Sequence, residues 1–594
     1  MLSGEELNVS QGATAESKSG TEDVTEAQKA LQREFRLRLA ALTGGLAPED
    51  YSRAWFDWLL GLTKSPDKQL ALAQRGLEMA IDNWQYALHA STGAASPPVP
   101  EDRRFASDAW NAWPFNIYAH SYANWQNWWN QALNPAAGTP AKSAQLMQFI
   151  GQQLANAASP ANHLGSNPEL LEQTRAEAGQ NLVRGFANFV DDLQRTLEKK
   201  PAAGTERFEV GRDVAATPGK VVLRNDLIEL IQYTPATDRV QAEPVLITPA
   251  WIMKYYVLDL SPRNSLVRYL VEQGHTVFVI SWKNPLAADR ALGMDDYVRQ
   301  GFLAALDAVT AIVPQQKVHA LGYCIGGTIL YIAASALAAA GDKRLATLTF
   351  LAAQADFSEP GELSLFISPS QIEMLEAVMH KAGFLESSNM GGAFALLRSQ
   401  DLLWTPGINS YVRGKRDEPN DLMAWNADGT RMPWRMHTEY LTRLYLRNEL
   451  ARGEFTFEGK ALDLSKLSLP MFVLGTETDH VAPWQSVYKA RALTSSKDYT
   501  FLLTSGGHNA GIVTGATHPR RRYRVSTWRD RTTNPEPTDW LRDTMPEQGA
   551  WWPVWDRWLT DHSSAKLVKP PKLGAAAAGY AVVGDAPGEF VRQR

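Results

Sequence analysis

From about residue 205 the chain reads as short runs of consecutive apolar residues separated by longer stretches of helical pattern. The candidate strands are VVLRN from Val221, LIELIQY from Leu227, PVLITP from Pro244, TVFVISW from Thr276, VHALGY from Val318, ATLTFLAA from Ala346, PMFVLG from Pro470 and YTFLLT from Tyr499. The first two read as an antiparallel opening pair. The others show no polar alternation, as expected of strands buried on both faces, and helical stretches lie between them. The pattern predicts an α/β fold with a mostly parallel sheet. Between Phe357 and Leu467 the rhythm stops, in a stretch rich in Met, Phe, Leu and Trp. An insertion at that place is expected to form a cap over the carboxyl edge of the sheet.

Upstream the grammar is different. Apolar positions recur every three or four residues over 27–45, 51–89, 110–133 and 173–199, which predicts helices. Ser96-Pro97-Pro98-Val99-Pro100 interrupts them, and a boundary falls at Lys199-Lys200-Pro201-Ala202-Ala203-Gly204. Residues 1–26, rich in Ser, Thr, Gly and Glu, read as a disordered leader. The chain therefore divides into that leader, a helical domain over 27–204, an α/β domain over 205–568 with its cap at about 357–467, and a tail over 569–594. Gly391-Gly392 and Gly414 are the expected flexible points of the cap.

The strongest chemical signal is Gly322-Tyr323-Cys324-Ile325-Gly326-Gly327, which follows the strand VHALGY and precedes the helix former TILYIAASALAAA. A lone cysteine is ordinarily a small buried hydrophobe. Here it occupies the nucleophile position of the strand–turn–helix elbow of α/β-hydrolases, where small flanking residues are required. Such an elbow needs an acid and then a histidine, at the carboxyl ends of later strands. Asp479 follows PMFVLG within Thr476-Glu477-Thr478-Asp479-His480, and His508 follows YTFLLT, the last predicted strand, within Ser505-Gly506-Gly507-His508-Asn509. Asp356 also follows a strand and is the alternative acid. His480 reads as a neighbour of Asp479, and His518 lacks the glycine-rich loop. The backbone N–H groups of Ile325 and of Ile252, in the loop after PVLITP, are the candidate oxyanion donors.

Composition narrows the class. Formal net charge is −5 and no basic stretch stands out, so a nucleic-acid partner has no support. The first residues lack the basic and apolar regions of a secretory signal, and no apolar run is long enough for a transmembrane span; a cytoplasmic location is expected. The only thiol is taken by the elbow, so neither a metal site nor a cofactor is expected. Twenty tryptophans are unusual, with clusters at Trp125, Trp128 and Trp129 and at Trp551, Trp552, Trp555 and Trp558. They read as core packing, with contact to an apolar particle as the sharper alternative.

With these residues in view, the chain resembles the polyhydroxyalkanoate synthases, of the single-subunit kind often labelled class I. The resemblance rests on SPANHLGSNPELL from Ser159, FEVGRDVAATPGKVV from Phe208, KYYVLDLSPRNSLVRYLVEQGHTVFVISWKNP from Lys254, GYCIGGT, DLMAWN from Asp421, ETDHVAPW from Glu477, GGHNAGI and GAWWPVW. It implies a Cys324–His508–Asp479 triad that polymerises (R)-3-hydroxyacyl-CoA with release of CoA. It also implies a homodimer resident on polymer granules, with coenzyme A entering only as part of the substrate. Two departures bear on substrate preference: Met253, where the family commonly has a polar residue, and the segment from Asn509 to Thr517. Two rivals remain at this level. One is a cysteine-type thioesterase or lactonase of the same fold, against which the long helical region argues. The other is a non-catalytic granule-binding protein, against which the complete triad argues.

Overall fold

A computed structural model describes residues 28, 32–38, 46–92, 99, 101–198 and 200–594; the leader and the Ser96–Pro98 break lie outside them. Its centre is an eleven-stranded sheet. The strands are β1 (Gly219–Arg224), β2 (Ile228–Tyr233), β3 (Val245–Thr248), β4 (Val277–Trp282), β5 (Val318–Tyr323), β6 (Leu345–Leu351), β7 (Met471–Thr476), β8 (Tyr499–Thr504), β9 (Arg522–Trp528), β10 (Glu547–Gln548) and β11 (Gly584–Asp585). Their spatial order is β10-β9-β8-β7-β6-β5-β3-β4-β2-β1-β11. The six from β4 to β8 are mutually parallel, while β1 and β2 pair antiparallel. All eight sequence-read strands are present. The parallel ones are almost wholly buried, which is why they carry apolar residues at every position instead of every second one.

Three strands of this sheet escaped the sequence reading, and His508 is not followed by the end of the sheet. The antiparallel β9 comes after it, with β10 beside β9 and β11 at the far edge. β9 is half exposed and carries Arg522, Arg524, Ser526 and Thr527, so its apolar signal is weak; β10 and β11 have two residues each.

The upstream region is helical: α1 (Pro48–Thr63), α2 (Pro66–Ser91), α3 (Phe115–Leu133), α4 (Ala141–Ala158), α5 (Pro168–Ala176) and α6 (Gln180–Leu197). The stretch read as one helix over 51–89 is two, because Ser65 precedes Pro66 and leaves helical geometry. The stretch over 173–199 breaks at Ala178 and Gly179, both at positive φ. The one over 110–133 starts late, at Phe115, and α4 was not anticipated.

Between β6 and β7 the chain leaves the sheet. This excursion includes α7 (Pro369–Ala382) and α8 (Trp434–Glu439), the latter continuing as a wider helix through Leu446. Helices α4 to α6 grip it: Asn156 donates to Ser399, Arg413 pairs with Glu169, and Arg416 pairs with Asp191 and Asp192. At Gly185 the approach is so close that a Cβ would lie 1.9 Å from the Tyr411 carbonyl oxygen. Gly414 is therefore not a free hinge: it sits at φ 66°, and a Cβ there would meet Asn181 O at 2.5 Å.

The end of the chain is equally anchored. Glu229, fully buried on β2, accepts from Arg224 and from the backbone N–H groups of Glu589 and Phe590, each at 2.9 Å for the two backbone donors. Lys254 is buried and donates to Gln593 O at 2.6 Å; burial pulls its ammonium down to about 8. Among the described residues no helix is long and apolar enough to cross a membrane. Glu229→Ala leaves the Glu589 and Phe590 N–H groups without their acceptor and takes from Arg224 one of its two carboxylate partners. It is expected to lower stability to urea by about 3 kcal/mol and to open Arg592 to trypsin, read by mass spectrometry of the cleaved C-terminus.

Candidate active site

Cys324 closes β5 and caps the helix Ile325–Ala339, at φ 54° and ψ −127°. That is a strained conformation for a residue with a Cβ, costing on the order of 1–3 kcal/mol, and it turns the thiol off the sheet edge. The turn exists because its neighbours have no side chains. A Cβ on Gly326 would lie 2.2 Å from Thr248 O, and one on Gly322 would lie 2.3 Å from the Gly327 Cα. The strand-to-helix crossing thus packs backbone on backbone.

The sheet brings Asp479 and His508 to the same edge. Asp479 Oδ2 accepts from His508 Nδ1 at 2.8 Å and from the Thr476 hydroxyl at 3.0 Å. Its Oδ1 accepts from the N–H groups of Val481 and Ala482 at 2.9 and 2.8 Å. Burial would raise the carboxyl, but the His508 charge and these hydrogen bonds outweigh it and hold Asp479 below the usual carboxylate range. Burial would lower the imidazole. The Asp479 charge, then that of Cys324, with hydrogen bonds to both, push it well above its usual value. The three sequence-derived residues therefore meet as one coupled group, able to take a proton from a thiol and keep it.

Asp356, the alternative acid, is turned elsewhere: it accepts from Ser358 N at 2.7 Å and Asn448 Nδ2 at 2.8 Å. His480 lines a smaller polar cavity beside Arg398, and His518 is half-buried outside both cavities. The Ile325 and Ile252 N–H groups donate no backbone hydrogen bond among the described residues. The Ile252 loop is fixed from several sides. Thr430 donates to Trp251 O, Trp425 Nε1 donates to Lys254 O at 2.7 Å, and Trp251 Nε1 donates to Met436 Sδ at 3.2 Å.

Sequence reasoning missed the groups that hold the His508 loop. Tyr323 stacks on the His508 ring and donates to Asn509. Arg521 donates to Ser505 O and Ala510 O, and the indole N–H groups of Trp551 and Trp552 both donate to Ile512 O, at 3.2 and 3.0 Å. The second tryptophan cluster is thus buried core with a polar tether, the blander of its two readings. In the first cluster Trp125, Trp128 and Trp129 are half-buried and stack on one another. Only Tyr323, adjacent to the nucleophile, carried a signal from its place in the motif.

Above Cys324 lies a cavity of about 800 Å³ whose lining includes Ile252, Phe357, Met390, His437, Tyr440 and Tyr445. Leu37 and Leu46, from the upstream region, also line it. Their neighbours are fastened to α7: Arg33 bonds His380, Arg36 pairs with Glu373, and Ala47 N donates to Gln371 Oε1 at 2.9 Å. The upstream helical region thus supplies part of the wall.

The sequence pattern of the poly-beta-hydroxybutyrate polymerase N-terminus matches residues 101–270, and that of the alpha/beta hydrolase fold matches 243–514. A poly(3-hydroxyalkanoate) polymerase of Methylorubrum extorquens is 38% identical over 539 residues, covering 89% of this chain and 88% of that protein. The poly(3-hydroxyalkanoate) polymerase subunit of Cupriavidus necator is 35% identical over 545 residues, covering 91% and 90%. Among solved structures, a soluble variant of the Saccharomyces cerevisiae monoglyceride lipase is 11% identical, covers 59% of this chain and 96% of that one, and has a TM-score of 0.33.

The two shifts fix the pH window of the Asp479–His508 pair. A raised imidazole contributes stability that is complete below its unfolded value of about 6.5 and is lost as pH rises through the folded one. A depressed carboxyl contributes above its unfolded value of about 3.9 and loses that as pH falls through the folded one. Asp479→Asn is therefore expected to cost more at pH 5.5 than at pH 9, measured as the difference in urea midpoint from the wild type at each pH.

Proposed function

The chain belongs to the poly(3-hydroxyalkanoate) polymerase family and is an enzyme of the acyltransferase kind; from that premise we propose that it polymerises (R)-3-hydroxyacyl-CoA, with Cys324 carrying the acyl group as a thioester. The observation that carries this reading is the Asp479–His508 bond at 2.8 Å, in a pair coupled to a buried thiol on a strained elbow beneath an apolar cavity.

In this scheme His508 removes the thiol proton, and Cys324 attacks the thioester carbonyl. The N–H groups of Ile325 and Ile252 receive the developing oxyanion. Collapse breaks the carbon–sulfur bond to CoA, which leaves with the proton from His508. One thioester replaces another, so the acyl group stays activated. The 3-hydroxyl of a second acyl unit then gives its proton to His508 and attacks the acyl-Cys324 carbon. The oxoester forms and the thiol is restored. Asp479 fixes the ring and steadies the imidazolium throughout. Water would divert the intermediate to free acid, and the apolar wall supports its exclusion. No step requires a cofactor.

The thioesterase reading differs only in that last acceptor, so the decisive experiment supplies (R)-3-hydroxybutyryl-CoA to the pure protein and measures CoA and polymer together. Both are expected. CoA release without polymer would favour a thioesterase, and neither would favour a binding protein. Cys324→Ala is expected to abolish both with the fold intact. Cys324→Ser is expected to retain slow acylation at most and lose nearly all elongation, since its oxoester is a far poorer acyl donor.

Residence on polymer granules and dimerisation are further parts of this reading. They find support in apolar stripes left open on the upstream helices, where Leu70, Leu77, Ile81 and Trp84 of α2 and Val183, Phe186, Val190, Leu193 and Leu197 of α6 are exposed. The spacing in α6 follows one helix face. Replacing Val183, Phe186 and Leu193 by Glu together is expected to shift the protein from the granule pellet to the supernatant on sedimentation, or from dimer to monomer on gel filtration. CoA release from a soluble substrate should be spared.

A further inference from the structure

One polar side chain on the cavity wall has no task in the scheme above. His437 lies on α8, is 5% exposed, and lines the cavity together with Tyr440, Leu441 and Tyr445 further along the same helical stretch. Its ring forms no hydrogen bond among the described residues: Nδ1 is sealed in without a partner, and Nε2, equally without one, is the nitrogen that keeps open surface on the cavity side. Three other polar side chains of the wall are bonded, while Ser388 and Asn389 are exposed. Thr328 donates to Gln354 O at 3.0 Å, Gln354 Nε2 donates to Ser486 Oγ at 3.0 Å, and Gln371 accepts from Ala47 N. The Tyr440 and Tyr445 hydroxyls lie close to each other.

Buried polar groups without partners are rare, because burial removes water and returns nothing. When such a group faces a cavity that admits a ligand, a ligand group is its natural partner. Burial also pulls the His437 imidazole down to about 4, so at neutral pH it is uncharged, with one donor and one acceptor nitrogen. A hydroxyl, which both donates and accepts, pairs with either tautomer of such a ring. A carbonyl pairs with only one. A methylene pairs with neither.

We propose that His437 hydrogen-bonds the 3-hydroxyl of the hydroxyacyl thioester as the acyl group reaches Cys324, and so distinguishes a hydroxyacyl chain from a plain acyl chain. This rests on the reading of Cys324 as a thioester acceptor. Within that reading His437 is a specificity-determining residue that touches substrate and takes no proton in the reaction.

The test compares two thioesters on the same preparation: (R)-3-hydroxybutyryl-CoA and butyryl-CoA, which lacks the hydroxyl but can still acylate a thiol once. With the full-length enzyme in excess, the first-turnover rate of CoA release is measured for each. The wild type is expected to favour the hydroxyacyl thioester by about tenfold or more, the scale of one hydrogen bond to a buried group. His437→Phe is expected to bring the ratio close to one by slowing the hydroxyacyl reaction about tenfold while leaving the butyryl reaction within about threefold. His437→Gln, which keeps a donor and an acceptor, should restore part of the preference. Because the two rates come from the same protein, a partly misfolded variant lowers both and leaves the ratio interpretable. An unchanged ratio in His437→Phe, or a wild type without preference, overturns the proposal while leaving the thioester chemistry standing. A wild type that releases CoA from neither thioester overturns the underlying reading as well.

Discussion

The site depends on a backbone crossing. Cys324 can stand at φ 54° only because β5 runs into its helix with glycine against glycine, Gly322 over Gly327, and with Gly326 against the carbonyl oxygens of Thr248 and Pro249 at the end of β3. The strain is local, but what opposes it is spread over the sheet. Cys324 N donates to Leu351 O of β6, and β5 is hydrogen-bonded to β3 on one side and β6 on the other. The same contact that forces the turn also brings the start of the helix beside the loop after β3. Ile325 and Ile252 are seventy-three positions apart in sequence, and their proposed role as a pair of oxyanion donors rests on that approach.

Around that crossing, segments distant in the chain immobilise one another. The Ile252 loop is held by Thr430 and Trp425 from the excursion between β6 and β7, and by Gln593 from the end of the chain through Lys254. The His508 loop is held by Tyr323 next to the nucleophile, by Arg521, and by Trp551 and Trp552. These tethers are hydrogen bonds made by large, buried side chains. Each removes freedom from a loop beside the Cys324 thiol, the kind of fixing that a preorganised site requires.

The cavity shows how little of the upstream region is independent of the site. Its helices fasten the excursion through Arg413 and Arg416, and the first described residues cover it with Leu37 and Leu46. An apolar enclosure of this kind favours transfer of an acyl group to an alcohol over transfer to water. It also makes a buried polar side chain without a partner on its wall conspicuous, as His437 is among the described residues.

The sequence by itself determined the sheet and the coupled residues at its edge. Strands buried on both faces leave an unmistakable apolar run, and an elbow needs glycines at fixed offsets from its nucleophile. Cys324 and His508 could therefore be placed from chain order and strand ends, and Asp479 with Asp356 as its alternative. The short or half-exposed strands β9, β10 and β11 were illegible, because they are paired by backbone hydrogen bonds that leave no side-chain period. Helix breaks at Ser65 and Ala178 were hidden within continuous amphipathic patterns. Only the tertiary structure decided that Asp356 turns to Asn448 and away from His508, that Gly414 is clamped and not hinged, and that Leu46 faces the cavity. It likewise revealed that the buried His437 ring makes no hydrogen bond among the described residues. The physical reason is common to all of these: local pattern fixes which face of an element is apolar, whereas the partner of a polar atom is set by whatever distant segment packs against it.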